Sequence, residues 1–495
     1  MTTLVDRRRL AALHAREEDR FVRSNPASAA RAEVARRHLV GGVPMAWMTR
    51  WPGAFPLFFA EAHGAGFTDV DGHHYVDFCL GDTGAMTGHG LPQVADALAA
   101  QARRGITTML PNDDAAWVGG ELARRFGLPY WQMAMTATDA NRFVLRFARQ
   151  ITGRPKVLVF DWCYHGTVDE SLATLDATGA VVVRDGTVGP AIDPALTTKV
   201  VQFNDLAALE AALAPGDVAC VLAEPALTNI GIVLPDPGYH DALRELCDRT
   251  GTLLVIDETH TICAGPGGAT EAWGLRPDLF VIGKTIGGGM PAAAYGMSAD
   301  VAERLAPIMA NPEIDVSGVG GTLTGNALAL AAVRATLSST LLPADFAVMI
   351  PLAQRWEQGV AKVIAEHGLP WHVQRLGCRA EYWFCPPPRT GAEAAAAVDH
   401  RLDAFMHLYA VNRGVLLTPF HNMALLSALH TAADVDLHTQ VFAAAAAELV
   451  ADDRAVLADA NDTGAVLTDT NADTGVVLAD AVVVLADADA DAAVG

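Results

Sequence analysis

Lysine is rare in this chain, so the few amines that it keeps are candidates for chemistry. Only four lysines occur among the 35 lysine and arginine residues, at Lys156, Lys199, Lys284 and Lys362. A lysine amine can attack an aldehyde and form a Schiff base, whereas an arginine guanidinium stays protonated and is not a nucleophile. Covalent chemistry by a side-chain amine, if the chain performs it, must use one of these four residues.

Lys284 is the lysine whose position suits that chemistry. It closely follows the apolar run 279–282 and precedes a glycine-rich segment, in which the backbone can approach a ligand. Lys156 and Lys199 lie at the starts of predicted strands, and Lys362 lies in a predicted helical region. Because parallel sheets bind ligands beyond the C-terminal ends of their strands, we predict that Lys284 carries a cofactor.

Two acidic residues end the neighbouring predicted strands. Asp257 follows the apolar run 253–256, and Glu224 follows the run 218–222. A carboxylate against the ring nitrogen of pyridoxal phosphate (PLP) keeps that nitrogen protonated, so that the ring accepts electrons. A single aspartate at a strand end is often only a helix cap. A lysine and two acids after three successive strands instead predict a PLP site, with Asp257 on the nitrogen and Glu224 in support.

The phosphate and the ring of such a cofactor also need partners. Residues 136–141 (TATDAN) precede the amphipathic run 142–150, and the free N–H groups of a helix N-terminus bind phosphate well. Tyr164 follows the strand that ends at Phe160, and it either stacks on the ring or is an ordinary loop tyrosine. The signal at each of these places is weak without the lysine and the acids.

The elements that must position these residues alternate along the chain. Predicted strands lie at 156–160, 181–183, 200–201, 218–222, 253–256 and 279–282, and predicted helices at 205–213 and 239–250 separate several of them. This alternation predicts an α/β fold, with a mostly parallel sheet covered by helices on both faces.

The composition predicts four segments. We assign residues 1–70 to an N-terminal segment that adds to a small domain, 71–325 to a large cofactor-binding domain and 326–450 to a smaller α+β domain. The segment 451–495 repeats similar tetrapeptides and holds ten aspartates against one arginine. Such an acidic, low-complexity tail is predicted to be disordered.

Charge and cysteine usage exclude several classes of function. The net charge of −22 argues against a nucleic-acid partner, which needs clustered lysine and arginine. No apolar run is long enough to cross a membrane, and the N-terminus lacks the apolar core of a secretory signal. The seven cysteines are scattered without a Cys-x-x-Cys motif, and no His-Glu-x-x-His motif occurs. We therefore expect a cytoplasmic protein with no structural metal and no disulfide framework.

The order of motifs resembles the class III aminotransferases, a family that includes ω-aminotransferases and glutamate-1-semialdehyde aminomutases. The resemblance runs from about residue 21 to residue 449 and rests on motifs at 69–72, 75–78, 88–89, 136–141, 164–166, 224–225, 257–258, 284 and 321–326. It implies the type I PLP fold, a large domain with a mostly parallel seven-stranded sheet and a smaller α+β domain. It also implies a homodimer with its active sites at the interface.

The resemblance assigns roles to particular residues. It implies Lys284 as the Schiff-base residue and proton carrier, and Asp257 on the pyridine nitrogen. It further implies cofactor contacts from Ala137, Thr138, Tyr164, His165 and Glu224, and a phosphate contact from Thr322 of the neighbouring subunit.

The chain departs from the family pattern at three places. Ala137 replaces a usual glycine in the phosphate loop, and Thr259 and His260 follow the acidic pair where a valine is common. Trp47 and Phe420 stand near places where relatives use an arginine to bind a substrate carboxylate. We predict a substrate pocket from Trp47, Arg50 and Phe420, with Arg379 and Arg413 as further candidates for a carboxylate-binding arginine.

These observations predict a PLP-dependent transaminase. We expect it to move an amino group from an amine or amino acid, of a bulky or aromatic kind, to an oxo-acid acceptor through pyridoxamine phosphate. The alternatives are a 2,1-aminomutase, which moves the amino group within one molecule, a decarboxylating relative, and an inert protein that binds PLP without catalysis. The first alternative uses the same Lys284 and Asp257, so the sequence does not separate it from the transaminase.

Overall fold

The computed structural model describes residues 5–189 and 192–450. The strands are β1 (Phe59–His63), β2 (Gly66–Asp69), β3 (His74–Asp77), β4 (Tyr130–Ala134), β5 (Lys156–Phe160), β6 (Ala173–Leu175), β7 (Val181–Val183), β8 (Thr198–Val201), β9 (Val218–Ala223), β10 (Leu253–Asp257), β11 (Leu279–Ile282), β12 (Ala293–Met297), β13 (His372–Leu376), β14 (Arg379–Trp383), β15 (Val415–Leu416) and β16 (Met423–Leu425). The α-helices are α1 (Arg7–Ser24), α2 (Pro26–Ala35), α3 (Pro92–Arg104), α4 (Asp113–Phe126), α5 (Ala137–Thr152), α6 (Leu206–Leu213), α7 (Tyr239–Thr250), α8 (Gly268–Ala272), α9 (Ala299–Ala310), α10 (Ala327–Ser339), α11 (Pro343–Glu366), α12 (Gly391–Ala395), α13 (His400–Val411) and α14 (Ala432–Val450). The acidic tail that the sequence predicts to be disordered lies outside the described residues.

The central sheet has seven strands in the order β4-β12-β11-β10-β9-β5-β8. Strands β8, β5, β9, β10 and β11 pair in parallel, and β12 runs antiparallel to both of its neighbours. The predicted mostly parallel sheet is confirmed. One predicted strand is misplaced, because β7 forms but pairs with β6 in a separate two-stranded sheet.

Side chains of alternate residues leave β11 on opposite faces and enter two different cores. Phe280 and Ile282 pack in the cluster that includes residues of α4, α10 and α11. Leu279 and Val281 pack in the cluster that includes residues of α5 and α7. Helices therefore cover both faces of the sheet, which is why the strand reads as a continuous apolar run.

Two smaller sheets flank the central one. The first has the order β1-β2-β3-β15 and the second the order β13-β14-β16. Strand β15, from the C-terminal part of the chain, pairs in parallel with β3 from the N-terminal part. The two ends of residues 5–450 thus share one sheet, while the four-segment division stays a prediction.

Within the described residues, no single helix has both the length and the apolar character needed to span a bilayer. The pair α10 and α11 meets those two criteria together but is bent by 75° between its members.

Glu17 links the N-terminal helix α1 to the C-terminal end of α13. The buried carboxylate, only 1% exposed, accepts hydrogen bonds from Arg16, Asn412 and Arg413 at distances of 2.7, 2.9 and 3.0 Å. Burial alone would raise the pKa of Glu17, but these donors outweigh it and lower the pKa to about 2. Three charged or polar donors therefore stabilise the ionised form of Glu17.

We expect Glu17→Gln to lower the free energy of unfolding by about 2 kcal/mol at pH 7. Because the folded-state pKa lies below the unfolded value of 4.5, this stabilisation is present above pH 4.5 and is lost as the pH falls towards 2. Urea unfolding across this pH range should show the difference between the two proteins shrinking with acid. Glu61→Gln, at an exposed position, is the control and should change nothing.

Candidate active site

A cavity of about 550 Å³ opens where the parallel strands end. It lies beyond β5, β9, β10 and β11, at the edge where the sequence places its chemistry. Eight of the predicted site residues line it: Trp47, Ala137, Thr138, Tyr164, His165, Glu224, Asp257 and Lys284. The ends of these strands therefore bring together residues that are far apart in sequence.

The Lys284 amine lies between two acceptors. Its Nζ donates to Asp82 Oδ2 at 2.6 Å and lies 2.5 Å from His260 Nε2. Lys284 itself has φ +52°, an uncommon backbone conformation for a residue with a side chain. Such strain persists where the surrounding structure fixes it, and it is frequent at functional sites.

Asp82 sits on a left-handed turn. Four successive residues, 80–83, all have positive φ, from +45° to +79°. Burial opposes ionisation of Asp82, but the charge of the Lys284 ammonium outweighs burial and holds the pKa of Asp82 well below its usual range. The turn thus presents a fixed anion to the amine.

Asp257 is held by three side chains at the end of β10. Its Oδ2 accepts from Asn141 Nδ2 at 2.8 Å and from His165 Nδ1 at 2.9 Å. Its Oδ1 accepts from the Thr259 hydroxyl at 2.6 Å and from the Thr259 amide at 3.0 Å. Burial would raise the pKa of Asp257, yet these bonds, led by that of His165, lower it. The carboxylate is therefore a fixed buried anion at the floor of the cavity.

His165 complements that anion. Burial disfavours its protonated form, but Cys163 and the hydrogen bond to Asp257 outweigh burial and raise the pKa of His165 to about 10. The ring is fully buried beside the cavity, and it fixes one oxygen of Asp257. A positive partner of this kind keeps the carboxylate ionised at neutral pH.

The N-terminus of α5 also borders the cavity, and its first main-chain N–H groups have no partner within the helix. Thr136 caps the helix, accepting from the Asp139 amide at 3.2 Å, and the Thr138 hydroxyl accepts from the Thr167 amide at 3.1 Å. Ala137 is the first helical residue and is absent from the residues with positive φ. Replacement of the family's glycine by alanine is therefore free of backbone strain.

Gly166 packs against Thr138 so closely that a side chain does not fit. The residue has φ +78°, and a Cβ there would overlap the Thr138 hydroxyl. We expect Gly166→Ala to displace Thr138, weaken phosphate binding and cost about 2 kcal/mol of stability beyond the backbone strain. Gly153→Ala is the matched control, because φ is +69° there and nothing lies within 4 Å of the new Cβ.

Denaturant unfolding and titration with inorganic phosphate measure both effects of these glycine variants. Equal losses in the two would mean that backbone conformation alone, and not the contact with Thr138, makes Gly166 necessary.

Aromatic rings form one wall of the cavity mouth. The ring of Trp47 meets that of Tyr164 edge-on with centroids 5.8 Å apart, and it meets that of Phe420 at 5.6 Å. Phe420 is not among the lining residues, but it contacts Trp47, which is one of them. Its role as a pocket residue stays a prediction.

The three candidate arginines lie elsewhere. Arg50 is exposed, Arg379 is fully buried and donates to a main-chain oxygen and a buried glutamate, and Arg413 pairs with Glu17. Among the described residues that line the cavity there is no arginine. Thr322 lines a separate groove of about 450 Å³ and not this cavity, and its contact with a neighbouring subunit's cofactor stays a prediction.

Three residues that contribute contacts to the site were not predicted from the sequence. Asp82 carries no sequence signal beyond the adjacent Gly81, because its position depends on a left-handed turn. Thr259 and His260 were noticed only as departures from the family pattern, yet they bind Asp257 and Lys284. The signal that could have found them is their polarity directly after a buried strand.

The residues fit PLP. A fixed buried anion suits a protonated ring nitrogen, an amine stands at the end of the neighbouring strand, and a helix N-terminus with an adjacent side-chain-free Gly166 suits a phosphate. Across residues 5–189 and 192–450, no group of three or more histidine, cysteine or acidic residues is arranged to hold a metal ion.

Comparisons with known proteins agree with the geometry. The family model for aminotransferase class-III matches residues 47–346. A glutamate-1-semialdehyde 2,1-aminomutase from Sorangium cellulosum is 35% identical over 419 residues, covering 83% of this chain and 94% of that protein.

Solved structures resemble the chain over most of its length. A glutamate-1-semialdehyde-aminomutase from Pseudomonas aeruginosa, also solved as a variant in complex with PMP, has 52% identity and a TM-score of 0.88 and covers 90% of this chain and 99% of its own. A β-phenylalanine aminotransferase from Variovorax paradoxus has 28% identity and a TM-score of 0.78, covering 88% and 97%. The predicted type I PLP fold is confirmed.

Proposed function

Because the chain belongs to the class III aminotransferase family, whose members depend on PLP, we propose that it moves an amino group between adjacent carbons of one small molecule, as a 2,1-aminomutase. The observation that supports this most is its similarity to proteins that carry that name, at 35% and 52% identity. These relatives favour the intramolecular alternative over the intermolecular transfer that the sequence predicted first.

Each part of the site has a role in such a reaction. When bound, PLP supplies an aldehyde that combines with amines and a ring that accepts electrons. Lys284 would hold the cofactor and, once its amine is free, would take a proton from one carbon and return it to another. Asp257 would keep the ring nitrogen protonated, Tyr164 would cover the ring, and the start of α5 would hold the phosphate.

The test is whether the reaction needs a second substrate. Purified protein loaded with PLP is given glutamate 1-semialdehyde with and without an added oxo-acid. We expect the isomer with exchanged amino and oxo positions to form at the same rate in both. Turnover that occurs only with the oxo-acid, together with aminated acceptor, would identify a transaminase instead.

Intermolecular transfer from bulky apolar amines is the second candidate. The Trp47–Tyr164–Phe420 contacts favour it, as does the lack of arginine among the lining residues that the structure describes. Trp47→Ala should then lower turnover of arylalkyl amines far more than turnover of alanine. Glutamate or ornithine turned over while arylalkyl amines are inert would reject this candidate.

We also propose that the chain acts as a homodimer, with Thr322 completing the partner's phosphate site. The groove that contains Thr322 is bordered by exposed apolar side chains, Met109 at 79% and Leu110 at 74%. Contiguous exposed apolar side chains are typical of protein–protein interfaces. Light scattering should give twice the chain mass, and Leu110→Asp should give single chains with weakened phosphate binding. A monomeric wild-type protein would reject the dimer.

The compartment that we propose is the cytoplasm. All seven cysteines are free, and six of them are buried. Unpaired buried thiols suit a reducing environment, which microscopy of a tagged full-length chain would test.

A further inference from the structure

Behind Lys284, four side chains form an unbroken hydrogen-bonded row. Lys284 Nζ lies 2.5 Å from His260 Nε2, and His260 Nδ1 lies 2.9 Å from Thr228 Oγ1. The Thr228 hydroxyl then donates to Glu224 Oε2 at 2.5 Å. The row runs from the reacting amine at the end of β11 to an acid at the end of β9.

The row fixes which imidazole nitrogen faces the amine. Thr228 has one hydroxyl proton, and when Glu224 is ionised that proton goes to the carboxylate. The Thr228 oxygen must then accept from His260 Nδ1–H, so that His260 Nε2 presents its lone pair to Lys284. Each member can pass a proton to the next without any side chain moving.

Burial favours the protonated form of Glu224 and disfavours the protonated form of His260. Burial raises the pKa of Glu224, even though Thr228 and the Tyr164 amide donate to it. Burial, followed by the charge of Lys284, lowers the pKa of His260 to about 4. His260 therefore stays neutral and acts as a carrier between the two ends.

We propose that His260 and Thr228 relay a proton between the Lys284 amine and Glu224. In the forward direction the Lys284 N–H bond breaks and a bond forms at His260 Nε2. His260 Nδ1 releases its proton to the Thr228 oxygen, and the Thr228 hydroxyl proton passes to Glu224. A lysine ammonium and a glutamate carboxylate become a neutral amine and a carboxylic acid, with no gain or loss of atoms or electrons.

The relay provides a path for removing a proton that Asp82 otherwise holds on Lys284. Asp82 Oδ2 lies 2.6 Å from Lys284 Nζ and 3.7 Å from His260 Nε2, and it stabilises the protonated amine, which is neither a nucleophile nor a base. The other charged groups that face the row are Arg379 beside His260, and His165 and Asp257 beside Glu224. Asp82 contacts the amine directly, and Glu224 is the acid that the row of hydrogen bonds connects to it.

The test uses the protein without cofactor, and it rests on the proposed function only in taking Lys284 as the reacting amine. The rate at which PLP becomes attached to Lys284 is followed by its absorbance across a range of pH. Thr228→Val removes the hydroxyl at nearly constant shape, and Thr228→Ser keeps it. Glu224→Gln removes the proton acceptor.

We expect Thr228→Val and Glu224→Gln each to move the pH midpoint of attachment upwards by about one pH unit, a typical spread for groups in proteins. The double variant should move it no further, and Thr228→Ser should follow the wild type. Circular dichroism checks folding, and Glu224→Gln decides alone if Thr228→Val does not fold.

Two outcomes separate the relay from the function beneath it. A midpoint unchanged in Thr228→Val and Glu224→Gln, or shifted equally in Thr228→Ser, overturns the relay. Attachment that is as fast in Lys284→Ala as in the wild type overturns the role of Lys284 and with it the proposed function.

Discussion

Replacing Lys284 by arginine will lower turnover by about 10⁴-fold, because the covalent nucleophile and the proton carrier are lost together. Arginine keeps the positive charge beside Asp82, so the 2.6 Å ion pair has a substitute while the amine chemistry does not. Steady-state turnover at saturating substrate is the measurement. Borohydride treatment followed by mass spectrometry should trap cofactor on the wild-type protein and none on the variant.

Lys199→Arg is the matched control for this prediction. Lys199 lies on β8 and donates to Asp217 at 2.6 Å and to a main-chain oxygen at 2.7 Å, and it does not line the cavity. It should keep wild-type turnover. Substantial activity in Lys284→Arg, with Lys199→Arg equally active, would show that the chain reacts through another group.

Asp257→Asn should lower turnover by about 10²- to 10³-fold, the range found when one fixed electrostatic contact is removed from a reacting centre. The amide keeps the shape of the side chain but has no negative charge to hold a protonated ring nitrogen. It also presents an N–H group towards Asn141 or His165, which both now donate to Asp257. The measurement is turnover together with the affinity for added PLP.

Thr259→Val gives this prediction a graded comparison. It removes one hydroxyl donor to Asp257 and leaves the charge in place, so we expect about a tenfold loss. If Asp257→Asn were no worse than Thr259→Val, the charge of Asp257 would not be what the reaction requires.

The parts of the fold that repeat a simple pattern were predictable from the sequence. The runs that form β9, β10 and β11 are apolar throughout because both faces of each strand are buried. Strands β4 and β12 lack such a pattern and were not predicted. Strand β4 is an edge strand with exposed residues, and β12 (AAYGM) consists largely of small residues with no preference for strands.

The residues of the site also fall into those that the sequence predicts and those that it does not. Lys284, Asp257 and Glu224 were predictable because each follows a recognisable buried strand, and the ends of parallel strands meet at one edge. Asp82 comes from a turn whose backbone angles leave no compositional mark, and it is more than 200 residues distant from the amine that it contacts. His260 could be noticed as an unusual residue, but its partners Thr228 and Lys284 come from different strand ends.

The left-handed turn at 80–83 has a consequence for what can enter the cavity. Each of its residues with a side chain adopts a conformation that costs about 1–2 kcal/mol, and such strain persists only where the surrounding structure holds the backbone in place. The carboxylate of Asp82 is therefore a negative charge at a fixed position beside Lys284. Once the Lys284 amine is neutral, this unbalanced negative charge favours an ammonium or hydroxyl group on that side of the amine over an anionic group.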